Sequence, residues 1–216
     1  MSYLKFNELT IQDFSSKNIN TLYNKGYVFT RMKKGMMNQT RSLRIDLSQF
    51  ELSSENRRIL RKLENLNLEI KNLPLLDYHW SIGKLAKDFY ETKFGEKVFS
   101  ANKIKEILTT EQNFNKLFVY KINETEIGYC IVHETNKIIH YSYPFYNLEH
   151  SNSNLGMSMM LKAIIYSQEN KKKYIYLGSA QRPTDIYKLQ FKGLEWFDGD
   201  SWTDNIDELK KKLKDK

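Results

Sequence analysis

The stretch KLFVYKINETEIGYCIVHETNKIIHYSYPFY, residues 116–146, decides the fold class. It contains three runs rich in β-branched and aromatic residues, separated by short polar segments at Asn123 and Asn136. Such runs are typical of strands, and tight polar turns between them favour antiparallel pairing. The stretch therefore predicts an antiparallel meander of three strands. The predicted strands are 116–122, 126–134 and 137–146.

Helical and extended patterns alternate on both sides of this meander. After it, a helix is predicted from about Asn154, and YIYLG at 174–178 has the pattern of a buried strand. Before it, two strands are predicted at 26–31 and 41–50, followed by an amphipathic helix. At the level of fold alone, this order is similar to that of the acyltransferase superfamily called GNAT. We expect an α/β (α+β) GNAT-like fold with a mixed, mostly antiparallel sheet flanked by helices and a smaller amino-terminal half-domain.

The length of 216 residues fits one large domain or two halves that share a core. Pro74 interrupts the hydrophobic pattern and places a candidate boundary near 72–78. The expected division is a basic half-domain at 1–75, with two strands and an arginine-rich helix, and a transferase-like domain at 76–216.

Composition excludes several classes of protein. With 40% hydrophobic and 13% aromatic residues, the chain has enough apolar surface to fold, so it is not a disordered or low-complexity protein. A single cysteine, Cys130, excludes a disulfide framework and a thiolate zinc cage, and no metal site is predicted. The amino terminus lacks the apolar core of a secretory signal, and no run approaches the ~20 apolar residues that span a bilayer. We expect a soluble cytoplasmic protein without a membrane partner.

The net charge of +8 is concentrated in the first third of the chain. Residues 25–62 carry ten basic side chains against three acidic ones, interleaved with Tyr27, Phe29 and Phe50. Guanidinium groups bind phosphate bidentately and aromatic rings stack on unpaired bases, so this composition favours a nucleic-acid partner. The alternative is a solvated helix face that serves only solubility.

Common catalytic motifs are absent from the sequence. It has no GxSxG, GxxxxGK[ST] or GxGxxG, which argues against ordinary hydrolases, kinases and dinucleotide-binding enzymes. The segment Asn154–Gly156 opens a helix directly after a tyrosine-rich strand, where backbone amides can hold a phosphate, a carboxylate or a carbonyl oxygen. Gly156 either lets a ligand approach the backbone or only allows close packing against the sheet.

Three blocks of sequence, in order, resemble the aminoacyl-tRNA protein transferases, the arginyl and leucyl transferases of the N-degron pathway. They are RSLRIDLSQFELSSENRRILRK (41–62), YSYPFYNLEHSNSNLGMSMMLKAI (141–164) and YIYLGSAQRPTDIYKLQFKGLEWFDGDSW (174–202). The resemblance extends from about residue 22 to residue 202. One departure is that 31–41 contains no cysteine, where the family normally has a cysteine cluster. The matching residues are Arg44, Phe50, Ser53, Arg57 and Arg58, then Tyr143, Phe145, Tyr146, Leu155 and Gly156, and finally Tyr176, Leu177, Gly178, Tyr187 and Lys188.

The resemblance implies an enzyme that moves arginine or leucine from charged tRNA to the amino-terminal amine of an acceptor protein, one starting with Asp or Glu. It implies no cofactor, since the aminoacyl-tRNA ester is already activated. The reacting centre is then Tyr187 with Lys188, although Lys188 alternatively only pairs with Asp185. The substrate-binding residues implied are Tyr143, Tyr146, Asn154, Leu155, Gly156, Tyr176 and Gly178. The residues implied to contact tRNA phosphates or an acidic acceptor are Arg44, Arg57 and Arg58.

Two other functions remain open on the sequence. In one, the chain is an N-acyltransferase that uses acyl-CoA, and the turn at Asn154–Met157 binds pyrophosphate, although the usual glycine-rich loop is lacking. In the other, a degenerate transferase fold has become a non-catalytic RNA-binding or protein-binding relative.

Overall fold

The computed structural model of the protein describes residues 3–214. The strands are β1 (Asn7–Thr10), β2 (Tyr27–Phe29), β3 (Met36–Gln39), β4 (Ser42–Asp46), β5 (Leu66–Asn72), β6 (Lys116–Ile122), β7 (Thr125–Glu134), β8 (Ile138–Tyr146), β9 (Tyr174–Ser179), β10 (Leu194–Phe197) and β11 (Trp202–Thr203). The α-helices are α1 (Ser16–Asn24), α2 (Ser54–Lys62), α3 (Trp80–Phe94), α4 (Ala101–Thr109), α5 (Leu155–Glu169) and α6 (Ile206–Lys214). Two 3₁₀ helices occupy Leu148–Ser153 and Pro183–Gln190.

Most strands form one sheet in the order β11-β10-β4-β9-β8-β7-β6-β5. Neighbours such as β4 with β9 and β6 with β7 are antiparallel, whereas β8 and β9 run parallel. A parallel pair needs a long crossover connection, and α5 provides it. The predicted mixed, mostly antiparallel sheet is therefore confirmed. A small amino-terminal sheet of three strands has the order β1-β3-β2.

The first of two compact units is built from residues 3–53, 134–140 and 166–214. It contains the three-stranded sheet, β4, β9, β10, β11, α1 and α6. Its interior is aromatic. Tyr23, Tyr176 and Trp196 are wholly buried, and the Tyr23 hydroxyl lies 2.9 Å from the Nδ1 atom of buried His140.

The second unit is built from residues 54–133 and 141–165. It contains α2, β5, α3, α4, β6 and β7, and its core includes Phe118, Tyr120 and Phe145. Both units are defined by spatial contacts and draw on separate stretches of chain. They do not test the predicted boundary near 72–78, which stays a prediction.

Most of the predicted elements are present. The meander strands, the helix after Asn154 and the strand from Tyr174 are confirmed, and Ser100 caps α4 by accepting a hydrogen bond from the Lys103 amide at 3.2 Å. β5 was not predicted. The helix after Ser53 was expected to include Leu66 and to end before LEIKNLP (68–74), but α2 ends at Lys62 and Leu66 is the first residue of β5. β5 pairs antiparallel with β6 along its whole length, from Leu66 opposite Ile122 to Asn72 opposite Lys116.

No helix within residues 3–214 combines the length and apolar character needed to cross a bilayer.

Candidate active site

Lys188 lies in the 3₁₀ helix that follows β9, and its side chain is only 13% exposed. Its ammonium donates a hydrogen bond to the Ser179 carbonyl oxygen at 3.2 Å, and its Nζ atom lies 3.9 Å from the Asp185 carboxylate. Burial lowers the pKa of Lys188, whereas Asp185 acts in the opposite direction. The result is a buried ammonium with one loose ionic partner.

The local sequence holds this lysine in place through Asp185. The buried Asp185 carboxylate accepts hydrogen bonds from the backbone amides of Gln181 at 2.8 Å and Arg182 at 2.9 Å. Pro183 begins the 3₁₀ helix, where its fixed φ angle suits the turn. Two backbone bonds therefore fix the carboxylate that faces the lysine.

Tyr187, the other predicted residue of the reacting centre, is 46% exposed. The Lys188 ammonium lies 5.7 Å from the centre of its ring. An exposed phenol, that of Tyr187, therefore lies next to a mostly buried ammonium, that of Lys188.

The end of β9 is open at Gly178. This residue has a φ of +76°, and no atom lies within 4 Å of the position that a β-carbon would occupy. The register of β9 against β4 shifts between Ser42 and Arg44, which marks a bulge at this point. A ligand can therefore approach the backbone at Gly178.

Tyr176 and Arg44 lie deep in the first unit. The Arg44 guanidinium donates through Nε to Glu195 at 2.6 Å and lies 4.0 Å from the ring centres of both Tyr174 and Trp202. Tyr176 has no exposed surface, and burial is the main cause that raises the pKa of its hydroxyl. The predicted roles of both residues in substrate or tRNA binding stay predictions. Arg44 is paired with Glu195, whereas the Tyr176 hydroxyl has no hydrogen-bond partner within residues 3–214.

The start of α5 is packed against the tyrosine-rich strand. A β-carbon at Gly156 would lie 3.0 Å from the Cε1 and hydroxyl oxygen atoms of Tyr146. The packing alternative for Gly156 therefore has a direct physical basis. Asn154, just before the helix, is left-handed with φ 60°, and Leu155 is wholly buried. Tyr143 is half-buried, with the ring centres of Phe99 and Phe114 each 5.5 Å from its own.

The two predicted arginines of α2 differ in their surroundings. Arg58 forms two hydrogen bonds of 2.6 Å with the exposed carboxylate of Glu55. Arg57 lines a shallow hollow of about 400 Å³ together with Ser54, Leu60 and Arg61. One face of this helix therefore presents two guanidinium groups around a concave surface.

His133 and Cys130 are both buried inside the protein. His133 is buried, and its Nδ1 atom lies 2.7 Å from the backbone carbonyl oxygen of Asn113. Cys130 is buried in β7, and burial raises the pKa of its thiol. Among residues 3–214, no three His, Cys, Asp or Glu side chains group closely enough to hold a metal ion.

The predicted site residues divide between the two units. The first unit contains Arg44, Tyr176, Gly178, Tyr187 and Lys188. The second contains Arg57, Arg58, Tyr143, Tyr146, Asn154, Leu155 and Gly156.

Residues 82–198 match the family model described as arginine-tRNA-protein transferase, C terminus. The match covers more than half of the chain. The chain belongs to this family. Within this transferase family domain, the matched region contains Tyr143, Tyr176, Lys188 and the helix start at Asn154, whereas the predicted arginines precede it.

Solved structures with a similar fold share little sequence with this transferase domain. L-PGS from Bacillus licheniformis is 12% identical, with a TM-score of 0.50 over 77% of this chain and 52% of that one. FemX is 9% identical, with a TM-score of 0.48 over 81% of this chain and 62% of that one. A GCN5-related glucosamine N-acetyltransferase region of a fungal β-N-acetylglucosaminidase is 12% identical, with a TM-score of 0.46 over 88% of this chain and 23% of that one. The chain spans about half the length of L-PGS. No curated protein sequence matches it.

Two features of this transferase domain were not assigned to the site from sequence. One is Arg41, a residue that is only 7% exposed. The other is a groove of about 460 Å³ between α3 and α4, where Trp80 is 66% exposed beside Lys84 and Lys105. The helical spacing of α3 was visible in the sequence, but the exposure of Trp80 depends on how α3 packs.

Proposed function

We propose that this protein transfers an amino acid, arginine or leucine, from charged tRNA to the α-amino group of an acceptor protein beginning with Asp or Glu. The observation that carries the proposal is the family match over residues 82–198. We place this activity in the cytoplasm, where charged tRNA is available.

The chemistry requires little of the enzyme. The acceptor's neutral amine attacks the ester carbonyl, a C–N bond forms, and the bond from the carbonyl carbon to the ribose oxygen breaks. The amine loses a proton and the ribose oxygen gains one, so no external oxidant, reductant or cofactor is needed. Positioning of the two substrates and stabilisation of the oxyanion then supply most of the rate enhancement.

Lys188 and Tyr187 suit these two tasks. A buried ammonium stabilises developing negative charge more strongly than an exposed one, because the surrounding dielectric is low. The exposed phenol of Tyr187 can donate a hydrogen bond or relay a proton at the same place. We assign Lys188 to the oxyanion and Tyr187 to the departing ribose oxygen.

The second unit offers two surfaces for the tRNA. The hollow beside Arg57 and Arg61 presents guanidinium groups that suit phosphates. The groove between α3 and α4 combines an exposed indole, that of Trp80, with lysines, as single-stranded nucleic-acid sites do. We assign phosphate contacts to the hollow and base stacking to the groove.

The test uses the purified chain with Arg-tRNA or Leu-tRNA labelled in the amino acid, and an Asp-initiated peptide. We expect label to enter the peptide with at least one donor. The matched control is the same peptide with an acetylated amino terminus, which has no nucleophilic amine and should stay unlabelled.

A thermal-shift assay with acetyl-CoA distinguishes the alternatives. Stabilisation by acetyl-CoA, with no transfer from either charged tRNA, would replace the proposal with an acyl-CoA-dependent N-acyltransferase. Tight tRNA binding without transfer from either donor would instead indicate a non-catalytic RNA-binding relative.

A further inference from the structure

Arg41 carries a buried charge that the protein itself does not neutralise. The residue is 7% exposed, and its Nε and Nη1 atoms are buried with no hydrogen-bond acceptor among residues 3–214. Burial alone lowers the pKa of Arg41, and no carboxylate of the described residues opposes it. Guanidinium groups keep their proton in proteins, so Arg41 cannot avoid this cost by becoming neutral.

The neighbouring residue adds a second unsatisfied polar atom. Ser42 is wholly buried, and its hydroxyl oxygen likewise has no hydrogen-bond partner within residues 3–214. Buried polar groups in folded proteins are almost always paired, so each exception needs an explanation, such as strain, a catalytic role or a bound water, ion or ligand. Two such exceptions therefore occur at consecutive positions, just before and at the first residue of β4.

Backbone contacts place Arg41 beside the predicted reacting centre. Its carbonyl oxygen accepts a hydrogen bond from the Ala180 amide at 2.9 Å, at the end of β9. The adjoining peptide carbonyl, that of Ser179, accepts the hydrogen bond from Lys188. The Arg41 backbone and the Lys188 ammonium thus form hydrogen bonds with the same peptide group, and Gly178 leaves the backbone open just before it.

We infer that Arg41, with the hydroxyl of Ser42, binds the side-chain carboxylate of the acceptor's first residue and so selects acceptors that begin with Asp or Glu. This inference rests on the proposed function, and it adds the residues that determine specificity. A carboxylate supplies the two acceptor oxygens that the guanidinium and the hydroxyl lack.

The burial of Arg41 favours a carboxylate over a tRNA phosphate. A phosphodiester is flanked by two riboses, which cannot follow it to a residue that is only 7% exposed. An Asp or Glu side chain ends in its carboxylate and can enter a narrow opening. The tRNA phosphates are better matched by the exposed arginines of α2.

The test compares acceptor peptides that begin with Asp or Asn, which differ only in carboxylate against amide. We expect Arg41→Met to reduce the Asp-over-Asn preference in kcat/KM by about 10- to 100-fold, the range for losing charge-assisted hydrogen bonds. The KM for charged tRNA should not change. Lys17→Met, which removes an exposed charge of α1 in the same unit, should keep the preference.

Binding and stability measurements keep the inference separate from the proposed function. Calorimetry with the two peptides and no tRNA should show that Arg41→Met abolishes the tighter binding of the Asp peptide, even if no donor supports transfer. The Tm of the Arg41→Met variant should stay unchanged or rise by ~2–4 °C, because a buried unpaired charge is removed. An unchanged Asp preference with a lowered Tm would make Arg41 structural, and a loss confined to tRNA affinity would make it a phosphate contact. Either result would overturn the inference.

Discussion

Arg41 and Arg44 stand three residues apart at the start of β4, and both are almost completely buried, yet their surroundings are opposite. Arg44 has an ion pair with Glu195 at 2.6 Å, a hydrogen bond to the Asn24 side chain at 3.3 Å and two aromatic rings against its guanidinium. Arg41 has none of these partners among residues 3–214.

The comparison distinguishes a buried charge that stabilises the fold from a buried charge that binds a ligand. A guanidinium that the fold neutralises stabilises the fold, and its removal leaves the partner uncompensated. A guanidinium that the fold leaves unpaired lowers stability in the absence of a ligand, so we attribute its retention to binding. Burial and residue type are the same in both, and only the partners distinguish them.

The largest expected effect is on stability, at Arg44. Arg44→Met should lower the free energy of unfolding by about 3 kcal/mol, since it breaks a mostly buried ion pair and leaves Glu195 unpaired. Urea denaturation at pH 7 measures this. Adding Glu195→Gln to the variant should restore part of the loss. If Arg44→Met were as stable as the natural chain, the contrast with Arg41 would have no energetic basis.

The fold was predictable where the pattern is local, and the site was not. The apolar run YIYLG and the serine that caps α4 are local features of the sequence, so both could be identified from it. β5 was missed although Leu66, Leu68 and Ile70 alternate with polar residues, so its signal was present. β1 and β3 pair with each other across about 30 residues, and their short polar sequences carry no such pattern.

The prediction of site residues was limited because a single sequence does not show which side chains are buried or which groups they pair with. The pairing of Lys188 with Asp185 follows from their spacing of three residues, and it was anticipated as an alternative. Arg41 was counted only as part of a basic segment. Nothing in that count distinguishes it from Arg44, because both lie in the RSLRID block.

Lys188 provides an intermediate case, since its one carboxylate partner is 3.9 Å away. Its pKa in the folded protein lies below the ordinary lysine value of 10.5. If the ammonium is the active form, the rate is full below that lowered pKa and is lost as the pH rises through it. In a pH profile, the kcat should therefore fall at a lower pH than that at which free lysine titrates.

Lys188→Met should lower kcat by about 10- to 100-fold, the size expected for one electrostatic group.

The control for this profile is Lys188→Arg. It keeps a positive charge at every working pH, so any residual activity should lose the alkaline fall. A profile that retains the fall in Lys188→Arg would assign the titration to another group, and it would return Lys188 to a purely structural role beside Asp185.

The smallest effects are expected on the exposed face of α2. Arg57 and Arg61 line the hollow, whereas Arg58 is bound to Glu55. Each lost phosphate contact should reduce the slope of log affinity against log salt by about 1, so Arg57→Ala with Arg61→Ala should flatten the tRNA slope by about 2. Arg58→Ala should change the slope less, and its stability cost should stay below ~1 kcal/mol because the pair is exposed.

Filter binding of tRNA from 50 to 200 mM salt, about the range over which counterion release is measured, provides the slopes. Equal slopes for the double variant and the natural chain would show that this face does not contact the tRNA.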